Sequence, residues 1–331
     1  MLRGMTALPI RVGIIGLGAI GQRLIRAFHA HPAFMVAALH DLDDERATTT
    51  AREFGGQVVP EAADLLAGDL VDVVYIAVPP AAHLELTLAA FDARKHVLCE
   101  KPLALNAHDG EAMLRAARAA GTVHAMQLPL FFAPGVEVFA DQLRTGIAGE
   151  LRRADLTFIF PEWPRAWQRN PWIATRAQGG PVRECGPHLF EVIERTLGPV
   201  RRLRADVAYP ADGVSSEDSA LGVLELSSGL RIAVNVLCHV PREETVELTV
   251  YGARATLGLK QWTTPVLARD AGPLQSLALP AVEPRGLLDE LASAIRGEPA
   301  RLPGLDVGLR LQKLQDAWEE ADASGGWIAV E

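Results

Sequence analysis

The sequence predicts an α/β protein in which a doubly wound parallel sheet is followed by an α+β domain with an open, mostly antiparallel sheet. Up to about residue 126, apolar strand-like runs alternate with amphipathic helix-like segments, which is the pattern of a parallel sheet covered on both faces. Beyond this point the alternation stops, and apolar and polar residues alternate with a period of two, as in antiparallel strands with one buried face. We therefore predict one domain over residues 1–126 and a second over 127–331.

A glycine-rich turn joins the first strand to the first helix. Val12–Ile15 is an apolar run typical of a strand buried on both faces, and the Gly-x-Gly-x-x-Gly segment follows it directly. In this context Gly16 allows a tight turn, Gly18 lets a pyrophosphate approach the backbone, and Gly21 lets helix and strand pack closely. The helix N-terminus adds free N–H groups and a positive dipole. The turn is therefore predicted to bind a dinucleotide through Gly16, Leu17, Gly18, Ala19, Ile20 and Gly21.

The second strand ends in an acid at the spacing that this motif requires. Asp41 follows the apolar run Met35–His40 and lies 20 residues after Gly21, where a carboxylate can accept hydrogen bonds from an adenosine ribose. The alternative is that Asp41 only caps the helix that starts near Asp43. The ribose interpretation predicts NAD as the cofactor, with NADP possible if Arg46 supplies a positive charge.

Two more strand ends carry chemically suggestive residues. The strand over 71–78 ends in Val78-Pro79-Pro80, and the strand over 96–100 ends in Glu100-Lys101-Pro102. Ligands of parallel sheets bind beyond the carboxyl ends of the strands. We therefore predict that these residues, the glycine turn and Asp41 meet at one edge of the sheet. The alternative is that Lys101 is an ordinary surface lysine at a strand end, but its place at a carboxyl edge before a rigid proline favours a functional role.

The second half offers a candidate proton-transfer pair and a tryptophan-rich loop. Glu184 precedes His188 by four residues, so that the two share one face at a helix start, and histidine exchanges protons near neutral pH. A buried histidine with no chemistry is the alternative. In the loop from Pro161 to Trp172, Trp163 and Trp167 either wall a substrate pocket or merely cover irregular backbone.

Later segments of this half predict one more helix, a sheet and a helical C-terminus. We expect a helix over 187–197, then strands over 202–208, 220–226, 230–238, 245–251 and 255–259, with loop over 275–284. The apolar stripe of residues 306–321 predicts a helix that packs at the junction of the two domains.

Charge and composition narrow the class of protein. The net charge of −9 argues against nucleic-acid binding. No apolar run reaches the length of a membrane span, and residues 1–6 lead directly into the first strand, so we expect neither membrane association nor a signal peptide. The three cysteines are far apart and show no metal-binding pattern, which favours a reducing cytoplasm and no metal site.

The chain resembles the Gfo/Idh/MocA oxidoreductases in four stretches. These are Gly16–Gly21, Val78–His83, Glu100–Ala104 and Gly179–His188. In that family the lysine of Glu-Lys-Pro lies beside the nicotinamide and the substrate hydroxyl, often before a cis proline. The resemblance implies a Rossmann domain, catalytic roles for Lys101, His188 and Glu184, and cofactor contacts from Val78, Pro79, Pro80, Glu100 and Lys101. His83 is interpreted as a packing residue near the site.

Two departures from the family pattern concern the substrate. Glu184 stands where the family usually has aspartate, and the stretch Gln127–Pro134 lacks the family's asparagine and arginine. The missing arginine favours a less polar substrate, with Phe131 as a candidate contact beside Trp163 and Trp167. Because one sheet face of this family commonly packs against another subunit, we expect a homodimer or homotetramer.

Together these features predict an NAD(P)-dependent dehydrogenase or reductase acting on CH–OH. It would transfer a hydride between nicotinamide and a carbinol or carbonyl carbon of a small sugar-, polyol- or ring-like substrate. Action on a C=N or C=C bond is a variant of this prediction. The alternative from another class is a regulatory protein that senses a nucleotide and keeps the fold without catalysis.

Overall fold

The structure is a computed structural model that describes residues 8–168, 170–281 and 284–330. It divides into two compact units. The first contains the chain up to Gln127 together with Arg285–Leu309, and the second contains Leu128–Pro284 together with the chain from Arg310 onward. Residues 1–6, on which the expectation about a signal peptide rests, lie outside the described residues.

The elements follow the chain in this order. Up to residue 127 they are β1 (Ile10–Ile15), α1 (Ala19–Ala30), β2 (Phe34–His40), α2 (Asp44–Phe54), β3 (Gln57–Val58), α3 (Ala62–Leu66), β4 (Val73–Ile76), α4 (His83–Asp92), β5 (His96–Cys99), α5 (Ala107–Ala120) and β6 (His124–Met126). Then come α6 (Pro134–Arg144), β7 (Leu151–Phe160), α7 (Pro181–Leu197), β8 (Val200–Ala208), β9 (Ser219–Leu226), β10 (Arg231–Cys238), β11 (Thr245–Gly252), β12 (Ala255–Lys260), β13 (Thr264–Arg269) and β14 (Gln275–Ser276). The last are α8 (Leu287–Ile295), α9 (Leu305–Ser324) and β15 (Ile328–Ala329).

The sheet of the first unit is parallel throughout its described pairings, in the order β3-β2-β1-β4-β5-β6. Ile14, Tyr75 and Leu98 on its central strands are fully buried, and Phe28 of α1 packs against them. This confirms the predicted doubly wound sheet. The ends of β1, β4 and β5, which precede the predicted cofactor residues, are neighbours in this order.

The predicted domain limits differ from the structure at residues 285–309. These residues were predicted to belong to the second domain, but they lie in the first unit. The reason is apolar burial, because Leu288, Leu291 and Ala292 of α8 join the core around β1 and β2. Residues of α9 up to Leu309 belong to the first unit and those from Arg310 to the second, and packing of this helix at a domain junction stays a prediction.

The second unit is built on a nine-stranded sheet in the order β14-β13-β12-β11-β7-β10-β9-β8-β15. Its pairings are antiparallel except for the parallel pair β7–β10, which confirms the mostly antiparallel sheet. The sequence analysis identified neither β13, which contains Pro265, nor β14, which lies in a predicted loop. A proline within a short run weakens the strand signal.

Helix α7 begins six residues earlier than predicted, at Pro181 rather than Pro187. Pro181 occupies the first helical position, where proline is common, and Pro187 lies inside the helix. Both acid–base candidates therefore lie on α7. Among the described residues, no helix is both long and apolar enough to cross a membrane.

Candidate functional site

The glycine turn after β1 is shaped for a ligand at Gly18. A Cβ at Gly16 would collide with the carbonyl of Ala77, and one at Gly21 would collide with the carbonyl of Gly16. Backbone packing therefore explains these two glycines. A Cβ at Gly18, in contrast, would meet nothing within 4 Å. Protein packing does not require glycine there, whereas close approach of a pyrophosphate does.

The N-terminus of α1 provides the complementary donors. Gly18 is the N-cap residue of this helix and supplies no side-chain cap, and no acidic residue lies in the first turn. The first N–H groups of a helix need acceptors from outside the helix, and its dipole favours an anion there. The residues at this turn thus fit the pyrophosphate of a dinucleotide.

Asp41 ties the end of β2 to this turn. Its Oδ2 accepts a hydrogen bond from the backbone N–H of Leu17 at 2.6 Å, and its Oδ1 accepts one from Asp43 at 2.9 Å. The guanidinium of Arg46 lies 3.1 Å from the same carboxylate. The alternative role as helix cap is wrong, because Asp43 caps α2 by accepting from the N–H of Arg46. The contact with ribose stays a prediction.

The Glu100-Lys101 pair follows β5 at the same edge. The hydroxyl of the fully buried Tyr75 donates to Glu100 Oε1 at 2.6 Å, and the backbone N–H of Lys101 donates to Glu100 Oε2 at 3.3 Å. Burial, together with the neighbouring carboxylate, raises the pKa of Tyr75 well above its ordinary value, which keeps its proton on this hydrogen bond. Lys101 is half-buried, and its bond to Pro102 is cis.

His83 holds the two loops after β4 and β5 together. Its Nε2 lies 2.9 Å from the carbonyl of Val78, and its Nδ1 lies 3.0 Å from that of Pro102. The ring is completely buried, and burial lowers the pKa of His83. As predicted from the sequence, it is a packing residue near the candidate site. Its contacts fix the backbone directly before Pro79-Pro80 and directly after Lys101.

In the second unit, the first turn of α7 is anchored by distant side chains. The N-cap residue Gly180 has no side chain, and Glu217 caps the helix instead by accepting from the N–H of Val182 at 2.9 Å. Pro187 lacks the N–H that would bond to the carbonyl of Arg183, and Gln315 Nε2 donates to that carbonyl at 2.8 Å. Burial raises the pKa of Glu217 to about 7.

The predicted acid–base pair follows the two anchored residues on α7. Glu184 is buried with 3% of its surface exposed, whereas His188 is half-buried one turn further along α7. The ring of His188 lies 6.1 Å from that of Trp262 in an edge-to-face arrangement. The catalytic roles of both residues stay predictions, but their placement on one helix, with His188 partly accessible, suits proton exchange.

The three aromatic candidates differ in accessibility. Trp163 is 6% and Phe131 8% exposed, so both belong to the core, where Trp163 contacts Phe160 and Phe131 lies beneath Arg195. Trp167 is 51% exposed. Of the three predicted substrate contacts, only Trp167 presents much of its side chain to solvent.

The sequence analysis missed Arg165 within the tryptophan loop and its two partners, Glu244 and Trp262. Arg165 Nη1 lies 3.4 Å from Glu244 Oε1, and Trp262 Nε1 donates to the same oxygen at 3.2 Å. Strand pairing brings them together, because the end of β7, the start of β11 and the end of β12 lie at one end of the sheet. A correct prediction of which strands pair with β11 could have identified these three residues as neighbours.

Comparisons with known proteins agree with this architecture. The model for the oxidoreductase family with an NAD-binding Rossmann fold, named GFO_IDH_MocA, matches residues 10–127. The model for the GFO/IDH/MocA C-terminal domain matches residues 138–258. The two models together account for most of the chain.

Relatives and solved structures cover nearly the whole length. The chain is 28% identical to the dTDP-3,4-didehydro-2,6-dideoxy-α-D-glucose 3-reductase of Streptomyces antibioticus, over 88% of this chain and 90% of the reductase. It is 24% identical to the D-glucoside 3-dehydrogenase of Escherichia coli, over 98% and 99%. A levoglucosan dehydrogenase in complex with NADH and levoglucosan superimposes with a TM-score of 0.85 at 18% identity, over 98% of this chain and 100% of that chain. The last comparison shows the shared fold.

Proposed function

The chain belongs to the Gfo/Idh/MocA family of NAD(P)-dependent oxidoreductases, and on this basis we propose that it oxidises a secondary hydroxyl, or reduces the corresponding ketone, of a cyclic sugar-like substrate. The observation that carries the proposal is the edge of the parallel sheet. There the glycine turn, Val78-Pro79-Pro80 and Glu100-Lys101 follow three neighbouring strands, and His83 fastens two of these loops together. The named sugar reductases and dehydrogenases among the relatives support the substrate class.

The proposed roles follow from side-chain chemistry. When bound, the nicotinamide accepts or supplies the hydride. The ammonium group of Lys101 holds and polarises the substrate oxygen. The imidazole of His188 takes the hydroxyl proton during oxidation and returns it during reduction, and Glu184 orients that ring. The dinucleotide is held by Gly16–Gly21 and Asp41.

Turnover by the intact protein tests the proposal. The chain is mixed with NAD or NADP and with levoglucosan, methyl D-glucoside, D-apiose or D-sorbitol, and the nicotinamide absorbance is followed. We expect reduction of the cofactor with at least one cyclic substrate. Tight binding of NADH without turnover of any alcohol, or of the matching ketones in reverse, would instead favour the nucleotide-sensing alternative.

We also propose that the enzyme is cytoplasmic and forms a homodimer or homotetramer. Cys99, Cys185 and Cys238 are buried and form no disulfide in the part of the chain that the structure describes, which suits a reducing compartment. Leu221 of β9 and Leu237 of β10 are 61% and 36% exposed on a broad sheet surface, which a second subunit could cover. Light scattering at micromolar concentration tests the assembly, with Leu221→Asp expected to weaken it. A monomeric wild type would contradict it.

A further inference from the structure

One guanidinium in the second unit is surrounded by aromatic rings. We name Arg165 and the four rings around it the Arg165 cage. The distances from Arg165 Cζ to the ring centroids are 4.8 Å for Trp167, 5.4 Å for Phe160, 5.6 Å for Trp262 and 5.9 Å for Trp163. Cations over aromatic faces at such distances are attracted by the ring quadrupole. The guanidinium therefore holds the rings of this cage together.

The rings of the cage are not equally available to a ligand. Phe160 is fully buried and Trp163 nearly so, and these two form the floor of the cage. Trp167 remains 51% exposed even though Arg165 lies over its ring. A large apolar ring that is backed by protein and open to solvent is a surface for stacking.

Arg165 is held firmly enough to fix the orientation of Trp167. Its Nε donates to Gln168 Oε1 at 2.7 Å, its Nη1 pairs with Glu244, and only 14% of its side chain is exposed. Gln168 itself is 7% exposed. Because the supporting groups are already ordered, a ligand stacked on Trp167 loses little free energy to ordering of the protein.

Trp262 connects the cage to His188. Its ring contacts Arg165 on one side and stands edge-on to the ring of His188. Its backbone has φ +73°, and that of the preceding Gln261 has φ +46°. Such angles are unfavourable for residues other than glycine. Strained backbone of this kind clusters at functional sites, and here it turns an indole toward the proposed proton-exchanging histidine.

We propose that Trp167, backed by Arg165, is the platform on which the ring of the substrate stacks, and that it makes the enzyme select cyclic over open-chain sugars. One face of a pyranose or furanose presents C–H groups that can lie flat on an indole, whereas an open-chain polyol has no such fixed face. This inference rests on the proposed function. Arg165 is a positioning residue, because it acts through the orientation of Trp167.

The test compares Trp167→Ala with wild type on a cyclic and an open-chain substrate. For levoglucosan or methyl D-glucoside we expect Trp167→Ala to raise KM at least about tenfold, while kcat changes less than about threefold. The KM for D-sorbitol and the Kd for NADH should not change. Trp167→Phe should restore part of the affinity for cyclic substrates. Arg165→Met should raise the same KM, and Arg165→Lys should partly restore it.

Trp327→Ala is the matched control. Trp327 is also an exposed tryptophan, at 37%, with Arg202 4.6 Å from its ring centroid. It precedes β15, however, at the edge of the sheet opposite to the β12–β13 turn that carries Trp262. Its replacement should leave every KM unchanged.

The outcomes separate this inference from the proposed function. Equal changes in KM for cyclic and open-chain substrates, or no change, would overturn the platform, and so would a change confined to the Kd for NADH. If the wild type turns over none of the substrates, calorimetric titration of levoglucosan in the presence of NADH decides. Binding that is lost in Trp167→Ala and retained in Trp327→Ala supports the platform even without catalysis, whereas equal binding by both variants, or no binding by the wild type, overturns it.

Discussion

Lys101 in the first unit and His188 in the second are held by different kinds of contact. The loop of Lys101 is held by nearby elements of one sheet, since it follows β5 directly and the side chain of His83 binds backbone carbonyls of this loop and of the loop after the neighbouring strand β4. The helix that carries His188 is fixed by side chains from remote segments. Glu217 and Gln315 bind its first turn, and Trp262 lies against the histidine ring.

This difference has consequences for substitution. Where strands and turns set the geometry, most side chains can change without displacing the site. Where single side chains set the geometry, one substitution far from the chemistry can shift the catalytic group, and a displacement of about 1 Å can cost about 10² in rate. Variants on the two sides should therefore respond differently.

The largest effect should come from the two proposed catalytic residues themselves. We expect Lys101→Met and His188→Asn each to lower kcat by about 10²–10⁴, because removing a positioned acid or base costs that much. The Kd for NADH should stay within about threefold, which is less than 1 kcal/mol. The double variant should be less than additive if both groups act on one oxygen.

Steady-state turnover beside fluorescence titration of NADH measures these effects. His108→Asn, an exposed histidine on α5, is the control and should have no effect. Wild-type rates in both variants would place the active site elsewhere. Loss of cofactor binding in both would refute the assigned roles.

The pH dependence of stability should reveal the anchor at Glu217. Burial raises its pKa from 4.5 to about 7 in the folded state. The charge of nearby Arg183 lowers this pKa and that of Glu319 raises it. Between about pH 4.5 and pH 7 the folded state keeps a proton on Glu217 that the unfolded state releases. The contribution of Glu217 to the free energy of unfolding is therefore complete below about pH 4.5 and is lost as the pH rises to about 7. The full change is about 3 kcal/mol.

Glu217→Gln should remove this pH-dependent part of the stability, while the amide oxygen of the new side chain still accepts a hydrogen bond from the N–H of Val182. Urea unfolding of both proteins between about pH 5 and pH 8 measures the difference, with Glu150→Gln as an exposed control. If the free energies of unfolding of the wild type and of the Gln variant changed equally with pH across this window, Glu217 would not titrate there.

The next prediction distinguishes a side chain that positions His188 on α7 from one that only stabilises the protein. Gln315→Leu leaves the part-buried carbonyl of Arg183 without its donor, which should cost about 1 kcal/mol in the free energy of unfolding. We expect kcat to fall about tenfold as well, because His188 shifts with the helix. Asp322→Ala removes another bond from α9 to a backbone group, the N–H of Val207 on β8. It should lower stability similarly and leave kcat unchanged.

The two regions were also unequally predictable from the sequence. The residues of the parallel sheet edge lie in short contiguous motifs, and the topology of strand and helix alternation is enough to bring Gly16–Gly21, Asp41 and Lys101 to one edge. The start of α7 was predicted wrongly, at Pro187 instead of Pro181. The distant amide of Gln315 compensates for Pro187 inside α7, and no local pattern contains that information.

The cluster around Arg165 shows the same limit more clearly. Arg165, Glu244 and Trp262 are far apart in the chain, and they meet because β11 pairs with both β7 and β12. Their neighbours carry no repeated pattern that predicts such a meeting. The sequence did indicate the tryptophan loop, but it could not separate the exposed Trp167 from the buried Trp163.

The smallest effect should come from Arg46, where a side chain adjusts a site that the main chain builds. The carboxylate of Asp41 already accepts from two backbone N–H groups, and the guanidinium of Arg46, whose side chain is 45% exposed, neutralises part of its charge. Asp41 should repel a 2′-phosphate, so we expect wild type to prefer NAD and Asp41→Ser to lose that preference.

Arg46→Ala should leave Asp41 unneutralised and widen the preference for NAD about three- to tenfold, or about 1 kcal/mol. Titration with NADH and NADPH measures both ratios, and Arg52→Ala, an exposed arginine of the same helix, controls for net charge. Tighter binding of NADPH than of NADH by the wild type would contradict the role of Asp41. If the ratio of the Kd values for NADPH and NADH were unchanged in Arg46→Ala, Arg46 would not weaken the effect of the Asp41 carboxylate on the cofactor, and the two backbone donors alone would do so.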